Sequence, residues 1–62
     1  MNAGYYIDGM GNIRDYMVAA RITEARKLFK DGAIVEARDL LQEIISAIDT
    51  WMAMLEQGMV QP

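Results

Sequence analysis

Cysteine and histidine are both absent from this 62-residue chain. With them go a disulfide framework, a thiolate or imidazole zinc site, and any nucleophile activated by histidine. A chain this short buries a modest fraction of its surface, and domains of this size commonly rely on a disulfide, a metal or a partner subunit. Composition strikes out the first two and leaves the third. No apolar run approaches the ~18 residues of a membrane span, and the start lacks the basic then apolar pattern of a signal peptide. The reading is a cytoplasmic chain with no membrane partner. Net charge is −3, which argues against nucleic acid as a partner, because that binding requires a basic face. A short frame starting at its own Met is expected of a bacterial or phage accessory protein.

What the sequence does hold is apolar residues, 53% of the chain, above the ~45–50% usual for globular proteins. They are arranged with helical spacing. Asn12 followed by Asp15 resembles a capping box, and the run IRDYMVAARITEARKLFK leads to "KDG". There, Lys27 and Lys30 suit the negative helix end and Gly32 can adopt the left-handed conformation that closes a helix. The pattern predicts one helix over about 13–31 and a second over about 33–57, closed by Gly58 and followed by a frayed tail at 58–62. A turn this short makes the pair antiparallel. The expected fold is all-α: a single-domain helical hairpin associating as a homodimeric four-helix bundle.

The second helix carries the clearest signal. Ile34, Ala37, Leu41, Ile44, Ile48, Trp51 and Leu55 alternate spacings of three and four, as in a bundle seam. Leu40, Ile45, Ala47, Met52 and Met54 flank that seam, so the stripe is wider than one neighbouring helix covers. The expected dimer interface is therefore Leu40, Leu41, Ile44, Ile45, Ile48, Trp51 and Leu55. On the first helix Met17, Val18, Ile22, Ala25, Leu28 and Phe29 share a face from which Arg14 and Arg21 project. Either their stems cover apolar surface while the charged heads reach solvent or a carboxylate, or Arg21 pairs with an acid across an interface or anchors a partner. Charge divides between the helices: residues 13–31 hold five basic and three acidic groups, residues 33–57 one basic and five acidic. That division suits an antiparallel arrangement.

Around the turn, ARKLFKDGAIVEARDLLQEI resembles the central part of a tetratricopeptide repeat. Ala25, Leu28, Gly32, Ile34, Ala37 and Leu41 stand where that family has small and bulky apolar residues about a glycine turn. Arg21 and Glu24 depart from the pattern, as does Asp49 where the family has a helix-ending proline. The resemblance covers about a third of the chain and implies a tight helical hairpin. A solenoid needs about three such repeats.

The N-terminal stretch GYYIDGMGNI remains. At 1.5 Å per residue the second helix overhangs the first by roughly 10 Å, leaving Trp51, Met52 and Leu55 beside the point where the chain enters helix 1. Residues 1–11 are expected to pack there as an irregular segment, with Tyr5, Tyr6, Ile7 and Met10 within reach. Three readings stay open: a lid on the core, a short hairpin or edge strand, and a binding arm with the tyrosines as anchors.

No paired acid and base stands in an evident pocket, and "DGMGN" lacks the preceding strand and following lysine of a phosphate loop. Glu36, Asp39 and Glu43 lie along one helix as a solvated acidic edge. The expectation is a non-enzyme with no catalytic residue, metal or cofactor. Its function is expected to be binding to an unidentified protein partner, through Tyr5, Tyr6, Arg14, Arg21, Trp51 and Met52, as an adaptor or regulator. The alternative is a dimeric nucleic-acid-binding regulator using Arg14, Arg21, Arg26, Lys27 and Lys30 as a basic ridge.

Overall fold

The structure, a computed structural model, describes residues 3–58, so the tail expected beyond Gly58 lies outside the described residues. Two helices, α1 (Asp15–Lys30) and α2 (Ile34–Glu56), pack against each other as a hairpin, preceded by a 3-10 turn at Ala3–Tyr5. Among the described residues no helix is long and apolar enough to cross a membrane.

The hairpin reverses at Gly32, whose φ is +86°. The Ala33 N–H donates to the Leu28 carbonyl at 2.9 Å and the Gly32 N–H to the Phe29 carbonyl at 3.1 Å, the paired bonds of a Schellman ending. Carbonyls that the end of α1 would otherwise leave unpaired are thus satisfied as the chain turns. Ala25 on α1 and Ala37 on α2, either side of this turn, are both buried and both line the same groove. Their methyl groups let the backbones approach closely here.

The start of α1 differs from the expectation built on Asn12. The helix begins two residues later, and the capping position is Arg14, with no side-chain cap. The cause lies upstream: Ile13 pairs antiparallel with Ile7, which requires extended backbone at 13 and removes Asn12 from the helix. The Arg14 N–H continues that pairing by donating to the Tyr6 carbonyl at 2.7 Å, and the Arg14 carbonyl then accepts from Met17 and Val18. One residue therefore closes the small hairpin and opens the helix.

Residues 3–14 form an arm that folds back over the hairpin. Tyr6 and Ile7 are buried with Ile44 and Ala47 of α2, and Met17, Val18, Leu40, Ile48, Trp51 and Met54 pack around them. The arm lies at the end of α2 that outruns α1. Met10, placed by the sequence among the covering residues, instead stands 66% exposed at the tip of the arm's loop, because the Asp8 turn directs it away from the helices.

Candidate functional site

The arm is held by polar contacts to both helices. Tyr6 is fully buried, with 0% of its surface exposed, and its hydroxyl donates to a carboxylate oxygen of Glu43 on α2. Burial, followed by the hydrogen bond to Glu43 and its negative charge, pushes the Tyr6 phenol up to about 12 from its ordinary 10.0, since each disfavours the phenolate. Trp51 donates its indole N–H to the Gly11 carbonyl at 3.1 Å. On the α1 side, the Arg21 guanidinium lies 4.9 Å from the centre of the Tyr5 ring, within cation–π range. Tyr5 in turn meets Tyr6 edge to face at 5.1 Å. Arg21 also pairs with Glu24 one turn along α1, at 2.8 Å. The carboxylate it finds is thus on its own helix, while its Nε atom is buried without a hydrogen bond among the described residues.

The glycine-bearing loop of the arm is closed upon itself. Asp8 accepts through one carboxylate oxygen from the backbone N–H groups of Met10 at 2.8 Å and Asn12 at 3.0 Å. Those bonds, Asn12 first, hold the Asp8 carboxyl below its ordinary 3.8, because the charged form is the acceptor. Backbone amides that a glycine-rich loop could turn toward a phosphate are here turned toward Asp8. Among the described residues no three His, Cys, Asp or Glu side chains come together to hold a metal ion. Of the acidic edge formed by Glu36, Asp39 and Glu43, the last is engaged by Tyr6.

The structure thus brings Tyr5, Tyr6, Arg21 and Trp51 together, as the seat of the arm. Arg14 is half-buried at its root, and Met52 is exposed. The residues expected at a dimer interface divide in two. Ile44 is buried and Leu40, Ile48 and Trp51 are half-buried beside the arm, whereas Leu41, Ile45 and Leu55 are exposed. The reason is that α2 meets α1 and the arm along one side of its apolar stripe, leaving the other side open.

That open side forms the floor of a groove on the turn half of the hairpin. Its volume is about 480 Å³, and it runs between Ile22, Ala25 and Phe29 of α1 and Ile34, Ala37, Leu41 and Ile45 of α2, with Arg26, Arg38 and Gln42 along its edges. It shares no residue with the cluster beneath the arm. Phe29 is 63% exposed and Ile45 51%. The sequence named Leu41 and Ile45 for a dimer interface but did not join them to Ile22 and Phe29 of α1 as one groove, although the signal was available. Once Gly32 folds the chain, the apolar faces of the two helices run side by side, and an arm seated at Trp51 does not reach the turn.

Fold and site together define a two-helix hairpin with an N-terminal arm closing one end and an apolar groove open at the other. The chain matches no protein-family model, no curated protein and no solved structure.

Proposed function

We propose that this chain is a small, non-enzymatic protein-binding module, an adaptor or regulator that works through the apolar groove between α1 and α2. The observation that carries the reading is the groove itself: aliphatic and aromatic residues from both helices, contiguous, with polar side chains confined to its edges. An apolar centre with a polar rim is the anatomy of a protein interface, and contiguous exposed apolar patches on a small protein mark such surfaces. Self-association into a homodimeric helical bundle belongs to the same reading. Among the described residues the buried core is Tyr6, Ile7, Ala25, Ala37, Ile44 and Ala47, half of it alanine, beside eleven exposed large apolar side chains.

Affinity capture from cell extract, wild type against Ile45→Glu, tests the proposal. Ile45 is exposed, so the variant is expected to keep its helix content by circular dichroism while partner recovery falls about tenfold or more, the usual consequence of placing a charge in an apolar contact. Arg21→Ala, altered at the arm, is expected to retain the partner. Equal recovery by wild type and Ile45→Glu removes the groove as the binding face.

A further inference from the structure

We infer that the groove-bearing face of α2 binds a second copy of the chain, docked antiparallel about a two-fold axis at Ile44 and Ile45, with Arg38 facing Asp49 of the partner subunit. This rests on the reading of the groove as a protein-binding face and specifies its occupant.

The first argument is spacing. At about 100° per residue, Ile34, Leu41, Ile45 and Met52 fall within roughly 40° of one another on α2, and all four are exposed. With Ile48 and Leu55 at its margin, the stripe reads the same from either end. Ile34 stands ten residues before Ile44 and Leu55 ten after Ile45; Leu41 stands three before and Ile48 three after. A surface repeated in this way about its midpoint is complementary to itself under a two-fold rotation, the requirement for an isologous contact.

Charge supplies the second argument and selects the direction. Arg38, Asp49 and Glu56 lie along the same flank of the stripe, about 40° to 60° from its centre. An antiparallel two-fold sets that flank against its own copy, and brings Arg38 to within about 3 Å, along the helix axis, of the level of Asp49 of the partner subunit. Parallel docking instead turns the flank of one copy toward α1 of the other. Arg38 then meets the groove edge that carries Arg26, which stands level with it in the hairpin, and cation faces cation. Opposite charges in one direction and like charges in the other decide orientation even where each pair adds little affinity.

The chain has no cysteine, so a single spin label on Val35→Cys, at an exposed position, reports geometry directly by pulsed dipolar spectroscopy. Sedimentation equilibrium of the same sample gives the mass. The expected result is a dimer at micromolar concentration with labels roughly 30 Å apart, since antiparallel docking offsets the two positions by about nineteen residues at 1.5 Å each. A dimer with labels about 20 Å apart or less is parallel and overturns the inference. Arg38→Asp is expected to weaken dimerisation about tenfold, and adding Asp49→Arg to recover it, because each change acts twice in a symmetric contact. Failure of the second change to restore association also overturns the pairing. A chain that stays monomeric at high micromolar concentration, yet loses its captured partner on Ile45→Glu, overturns the second copy as occupant and leaves the protein-binding reading standing.

Discussion

The phenolic O–H of Tyr6 donates to a carboxylate while its ring is enclosed by both helices and the rest of the arm. A neutral acid held beside an anion resists ionisation, so the folded protein binds the Tyr6 proton more tightly than the unfolded chain does. The direction of the pH effect follows. The folded value lies above the ordinary one, so the stabilisation is fully present below pH 10 and is lost as pH rises through about 12. Tyr6→Phe keeps the ring and removes the hydroxyl. It is expected to cost roughly 1.5–3 kcal/mol near neutrality, the range for a hydrogen bond to a charged group, and to abolish the part of the alkaline loss that Tyr6 contributes. Denaturant titrations of both proteins across pH 8 to 12 check this, and unchanged alkaline behaviour in Tyr6→Phe contradicts the assignment. The sequence placed Tyr6 near Trp51 by chain length alone. It could not name Glu43, because the polar partner of a buried hydroxyl depends on rotation about α2, which apolar periodicity specifies only to within a stripe.

At the scale of elements, the turn and the arm contrast in how far sequence alone reveals them. Gly32 was legible because helix closure is a local event with a strong glycine preference, and its φ of +86° is one that side chains rarely adopt. Gly32→Ala is expected to lower stability by roughly 1 kcal/mol. Gly9→Ala serves as its control: Gly9 does not share the positive φ, and a methyl group there meets nothing within 4 Å. Thermal melts should separate the two variants, with Gly9→Ala close to wild type. The arm was less legible. Asn12 and Asp15 carry a plausible cap, but a pairing of Ile7 with Ile13 overrides it, and a single bridge leaves no alternating pattern to read. The groove was hidden for another reason. Its residues were visible as helix faces, and only the placement of the arm decides which part of those faces stays open.

For the whole molecule, the arm and the groove divide an apolar surface too wide for two helices. Burial is concentrated at the arm, where Tyr6 and Ile7 supply two of the three buried side chains larger than alanine among the described residues, Ile44 being the third. Deleting residues 1–11 therefore removes half of the buried cluster at that end, Tyr6 and Ile7, and uncovers the rest. The expected loss is roughly 3–6 kcal/mol, at about 1.5–3 kcal/mol for each large side chain fully buried. That loss is large against the total stability available to a domain of this size. Circular dichroism melts of the truncated chain test it, and a truncated chain that melts with the wild type means the arm adds nothing to the hairpin. Association should act in the same direction from the other end, so the melting temperature of the full chain is expected to climb with protein concentration.

The bond from the indole of Trp51 to the Gly11 carbonyl has a practical consequence. Trp51 is the only tryptophan in the chain, and it sits where the arm meets α2, outside the groove. Its fluorescence emission should therefore shift to the red when the arm lifts and water reaches the ring. The emission thus gives the protein an intrinsic optical gauge of whether the arm stays seated when the groove is occupied.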